Sequence, residues 1–226
     1  MINPIIFDFL TRLKENNNRE WFTEHKPEFI QAKEAFEKNV TDFINIVKEI
    51  DPSVGDQVAK DCIFRIYRDT RFAKDKTPYK TNMGAFVSKG GRKSPLAGYY
   101  LHLEPNASMI AGGIYCPQSD VLKAVRKEIY HFPDEFKQIL FDSEFKDVFP
   151  LMYEDKLKMA PKGFPKDFED IELLKYKSYT VLHSPTDAEL TGKNAESHIK
   201  RVVKVLEPFN SFINRGITEE EEEIQL

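Results

Sequence analysis

The chain is short of the residues that announce a cofactor or a compartment. It has two cysteines, Cys62 and Cys116, with no close pair. That supports neither a disulfide framework nor a zinc site and predicts reduced thiols in a cytoplasmic protein. No apolar run approaches the roughly 18 residues that a membrane span needs. The N-terminus lacks a basic region followed by a long apolar run and a small-residue cleavage site. These absences predict a soluble, cytoplasmic chain without a membrane partner. His25, His131, His183 and His198 stand apart, none in metal-ligand spacing, so no metal and no cofactor is assigned. No serine or cysteine is marked as a nucleophile beside a base. The loop from Ser88 to Ser94 is rich in glycine and lysine but lacks the phosphate-loop spacing, and it reads as a hairpin turn. No internal repeat and no long linker divide the chain.

What is present is a globular composition with an uneven charge. Of 226 residues, 41% are hydrophobic and eighteen are phenylalanine, enough to fill a sizeable core. The formal net charge of −4 argues against general binding to nucleic acid or membrane surfaces. Yet Lys60 to Lys93 holds ten basic and three acidic residues, a local balance of +7. The remainder therefore carries −11.

Periodicity gives the elements. Asn3-Pro4 opens a helix with Ile6, Phe9, Leu10 and Leu13 on one face, and Asn16-Asn17-Asn18 ends it. Asn18 caps a short helix with Trp21 and Phe22, aromatics expected to lock two helices together. Pro27 starts a long helix that Asp51-Pro52 stops. From residue 61 the pattern alternates, predicting strands near 62–68, 82–89, 98–104 and 107–115, and a fifth near 178–183. Helices are expected near 119–130, 134–141 and 167–174, with 144–170 otherwise irregular. Thr186 to Glu189 resembles a capping box, and Ile199 to Ile213 gives a long closing helix. The expected fold is α+β: an antiparallel meander of four to five strands against long N- and C-terminal helices. Residues 1–216 form one domain, and 217–226, with five consecutive glutamates, form an acidic tail.

The basic island is the candidate site. Residues 62–80 contain three arginines, three lysines and two tyrosines. On a regular strand Arg65 and Tyr67 face one way and Arg68 the other, while Arg71, Lys74, Lys76, Tyr79 and Lys80 lie on the connection. Guanidinium groups bind phosphate or carboxylate bidentately, lysines add mobile positive charge, and the tyrosines offer hydroxyls. These eight residues are the candidate ligand-binding set. The bland alternative is a network of ion pairs with Asp69, Asp75, Glu104 or helix acids. On the strand near 98–104, Tyr100, His102 and Glu104 share a face. His102 and Glu104 are the candidate acid–base pair, against the alternative of cross-strand polar contacts.

Asn16-Asn17-Asn18-Arg19-Glu20-Trp21-Phe22, the run from Arg65 to Lys80, Tyr99 to Glu104, and Gly112 to Tyr115 resemble an uncharacterised bacterial family, the domain-of-unknown-function family numbered 2461. The resemblance spans residues 3 to 213 and implies one full-length domain of unassigned activity. It supplies no catalytic residues. The residues themselves predict a small anionic ligand, phosphate- or carboxylate-bearing, with enzymatic turnover left open. The alternative is an interaction domain whose basic face docks an acidic protein or nucleic acid. Nucleic acid is disfavoured by the lack of a recognition helix or an RNA-binding aromatic signature, although Tyr67, Tyr79, Tyr99 and Tyr100 could stack on bases. No oligomeric state is assigned.

Overall fold

The computed structural model describes the backbone of residues 1–152 and 155–224, and the side chains of these except 151 and 219–224. Three helices open the chain: α1 (Ile5–Glu15), α2 (Arg19–Glu24) and α3 (Lys26–Ile50). Their boundaries have local causes. The Asn3 side chain accepts from the Ile5 backbone N–H at 3.1 Å, and the Asn18 side chain accepts from that of Trp21 at 2.9 Å. Each satisfies an amide that the first helical turn leaves unpaired. Phe9 packs 6.1 Å from Trp21 and 6.3 Å from Phe22, and Phe22 lies 4.9 Å from Phe29, so the aromatic corner joins all three helices.

A single turn, α4 (Ala59–Cys62), precedes β1 (Met83–Val87), β2 (Gly98–Leu103) and β3 (Met109–Ile114). Then come α5 (Ser119–His131), α6 (Pro133–Phe141), α7 (Ser143–Val148) and the two-residue β4 (Leu151–Met152). The chain finishes through α8 (Ile171–Leu174), β5 (Tyr179–His183), α9 (Asp187–Thr191) and α10 (Ala195–Ile224). The sheet is antiparallel in the order β1-β2-β3-β5-β4, and the fold is α+β as expected. Among the described residues no helix is long and apolar enough to cross a membrane.

The two faces of β2 differ. Tyr99, Leu101 and Leu103 are fully buried, and the Tyr99 hydroxyl donates to the buried Asp51 carboxylate at the end of α3. On the same side α10 crosses the sheet closely. A Cβ on Gly112 would fall 2.3 Å from the Leu206 side chain, and one on Gly113 (φ +94°) 1.9 Å from the Tyr179 carbonyl oxygen. The fully buried Asn210 of α10 accepts from the Gly113 N–H at 2.8 Å and donates to the Gly98 carbonyl at 3.0 Å. One helix side chain thus ties β2 to β3.

Several expectations need correction. No strand forms near 62–68. Cys62 ends α4, and the residues after it pair with their neighbours through isolated bridges, Ile63 to Ala85 and Tyr67 to Tyr79. Arg68 N–H donates to the Pro78 carbonyl at 2.9 Å, but Pro78 has no N–H to return, so a ladder cannot propagate there. Inside the stretch expected to be irregular, α7 forms because Asp142 accepts from the Glu144 and Phe145 amides, both at 2.9 Å. β4 is too short for alternation to register. The helix expected at 167–174 contracts to α8. The closing helix continues past the buried Ile217 to Ile224; of the expected tail 217–226, the side chains from Glu219 onward lie outside the described residues. His183 and His198 are not apart: their Nε2 atoms lie 2.9 Å from each other.

Candidate functional site

On the face of β2 opposite the helices, Tyr100, His102 and Glu104 form a hydrogen-bonded chain. Tyr100 Oη lies 3.0 Å from His102 Nδ1, and His102 Nε2 lies 3.3 Å from Glu104 Oε2. A carboxylate only accepts, which assigns the imidazole proton to Nε2 and makes Nδ1 the acceptor of the Tyr100 hydroxyl. The other Glu104 oxygen, Oε1, accepts from the Thr81 hydroxyl at 2.9 Å and has Lys14 Nζ at 3.9 Å. Gly84, paired with His102 across β1 and β2, makes room for this chain: a Cβ there would stand 2.7 Å from the Tyr100 hydroxyl. Burial lowers the His102 pKa, the Glu104 carboxylate opposes that shift, and the nearby Lys80 charge adds to it. Burial, reinforced by Glu104, raises the Tyr100 pKa, so the phenol keeps its proton and acts as a donor.

The basic segment divides into two groups. The loop group is directed at loop partners. Arg68 bonds to Asp75 and to the Thr77 hydroxyl. Arg71 pairs with Asp69 at 3.0 and 2.7 Å, and Lys76 Nζ donates to the Thr70 carbonyl at 2.9 Å. The Thr77 backbone N–H, with Arg68 second, brings the Asp75 pKa down to about 2. Lys74 is exposed at the tip. Tyr67 lies 5.5 Å from Tyr79 and 6.0 Å from Phe22, and Tyr79 is buried, stacked 3.9 Å from Phe22. Neither tyrosine joins the His102 chain.

The second group is Arg65 and Lys80. No ion pair or hydrogen bond to a carboxylate is found for either among the described residues. Lys80 stands 5.6 Å from the Phe64 ring centroid, and its pKa is lowered by burial and then by the Arg65 charge. The Arg65 charge thus acts on Lys80 and the Lys80 charge on His102, while Arg65 also helps to lower the Asp69 pKa. Of the expected site, the structure joins His102 to Glu104 and sets Lys80 near enough to act on His102, while Arg65 acts on Lys80 and Asp69. Sequence reasoning missed Asn17, Thr81, Lys14 and Gly84. Asn17 accepts from the Tyr79 N–H at 3.1 Å and donates to the Tyr79 carbonyl at 2.9 Å, holding the chain one residue before Lys80. Its signal is the asparagine run, which marks a helix stop and part of the family motif but not this contact.

Concavity and chemistry part company on this surface. A groove of about 550 Å3 is lined by Glu135, Asp142, Phe212 and Arg215, and a hollow of about 420 Å3 by Glu189, Lys193 and His198. In the groove Arg215 is already paired with Glu128 and Glu135, so it offers no free cation. Tyr100, His102, Glu104, Arg65 and Lys80 line neither hollow.

Fold and site define an α+β protein with a Tyr–His–Glu chain and, near it, Lys80, which has no ion-paired carboxylate among the described residues. The chain belongs to the family described as "Conserved hypothetical protein (DUF2461)", which matches residues 5–212. No curated protein and no solved structure matches it.

Proposed function

We propose that the face formed by Arg65 and Lys80 binds a small phosphate- or carboxylate-bearing ligand, with His102 and Glu104 poised to exchange a proton with it. The observation that carries this reading is that, among the described residues, neither Arg65 nor Lys80 makes an ion pair or hydrogen bond with a carboxylate, while Arg68 and Arg71 each do; Asp69, which feels the Arg65 charge, is held by Arg71. Adjacent like charges destabilise each other, and an anion between them removes that repulsion. Ligand binding should therefore raise the melting temperature. Wild-type protein is expected to respond to millimolar phosphate, sugar phosphates or dicarboxylates in a thermal-shift screen. Arg65→Ala should lose the response and Arg68→Ala should keep it. Equal shifts in both variants, or none in the wild type, would sink the reading.

One observation favours docking of an acidic protein or nucleic acid instead. Phe72, at the tip of the loop stapled by Arg68–Asp75 and Arg71–Asp69, is 96% exposed. On this reading Phe72→Ser weakens binding to a macromolecular partner and leaves phosphate binding intact, measured by fluorescence anisotropy against salt.

A further inference from the structure

A ligand held by Lys80 lies next to an aromatic ring. Phe64 keeps 37% of its surface exposed, directly before Arg65 in the chain. The Lys80 ammonium stands 5.6 Å from its centroid, and the Tyr100 ring meets it edge-on at 6.1 Å and 69°. Tyr100 in turn is committed to His102 through its hydroxyl. The segment thus places a partly bare aromatic ring between the Lys80 ammonium, which has no ion-paired carboxylate among the described residues, and a tyrosine that is already engaged. A sugar phosphate or a dicarboxylate would satisfy the charges and leave the ring in water. A flat, unsaturated group attached to a phosphate would satisfy both.

We propose that the ligand is a nucleotide, with its phosphate against Arg65 and Lys80 and its base stacked on Phe64. The assignment rests on the anion-binding reading above and specifies its chemical class. Guanidinium and ammonium groups supply the charge-assisted bonds to the phosphate oxygens. Stacking on an aromatic side chain adds affinity for any base, because every base has a π-face. Discrimination among the four bases is therefore small.

The test is isothermal titration of the intact protein with inorganic phosphate, ribose 5-phosphate and adenosine monophosphate at low salt. Adenosine monophosphate is expected to bind about tenfold more tightly than ribose 5-phosphate. Phe64→Leu, which keeps apolar bulk, should retain ribose 5-phosphate binding and lose the tenfold advantage. A melting curve of the variant checks that it remains folded. If adenosine monophosphate gains nothing over ribose 5-phosphate, or its advantage survives in Phe64→Leu, the nucleotide assignment is overturned while anion binding stands. If none of the three binds, the phosphate form of the anion-binding reading fails and takes the assignment with it. A single-stranded oligonucleotide that binds where adenosine monophosphate does not would overturn the mononucleotide in favour of a docked strand.

Discussion

Each hydrogen in the Tyr100–His102–Glu104 chain has one place to go, so small changes beside it should be legible. In Gly84→Ala the new methyl would crowd the Tyr100 hydroxyl and lift it from His102 Nδ1. The expected outcome is a change in the His102 ring nitrogen shifts by NMR, with the protein still folded; unchanged shifts would refute the assignment of that bond. The same histidine sets a pH response. Its pKa is lowered in the folded state, chiefly by burial, from about 6.5 in the unfolded chain, and that of His198 is lowered too, also chiefly by burial. The folded state therefore binds fewer protons than the unfolded state. The associated stability is fully present above about pH 6.5 and is lost as the pH falls through the lower folded values. Urea midpoints measured from pH 8 to pH 5 should fall, and less steeply in His102→Gln. The cysteines offer a separate check. Cys62 is buried, and burial pushes its thiol up to about 11, whereas Cys116 is exposed. One thiol should react quickly with a disulfide reagent in the native protein and the second only on unfolding.

At the scale of elements, Asn210 joins α10 to two strands. Asn210→Ala would strand the Gly113 N–H and the Gly98 carbonyl in the core, at a cost of about 3 kcal/mol, measurable by urea denaturation. A loss under about 0.5 kcal/mol would mean that the two groups find other partners. Most elements were legible in the sequence because their signals are local. Asn18 and the Thr186–Glu189 capping box mark helix starts, and the alternation of β2 separates Tyr99, Leu101 and Leu103 from Tyr100 and His102. What was not legible depends on contacts far along the chain. The alternation of residues 62–68 promised a strand, but no sequence rule shows that the facing residue is Pro78. Arg65 and Arg68 look alike in sequence. Only the folded loop gives Arg68 the Asp75 carboxylate and leaves Arg65 without an ion pair among the described residues. Likewise the amide of Asn17 meets Tyr79 across 62 residues.

Over the whole molecule the acidic excess lies outside residues 60–93, and helix acids take up cations elsewhere: Arg12 with Glu28, Arg201 with Glu144 and Asp147, Arg215 with Glu135. A net charge of −4 therefore says little about the field at Arg65. The helical layer over the sheet also has an implication for synthesis. It is drawn from both ends of the chain, because α3 and α10 pack against each other while β1, β2 and β3 lie between them in sequence. During translation the meander leaves the ribosome long before α10, which begins only at Ala195. Gly112 then has no Leu206 to meet, and the Gly113 amide has no Asn210. A nascent chain stalled before residue 195 should therefore stay protease-sensitive and engage chaperones that recognise apolar strands, and protection should arrive in a single step once α10 has been released.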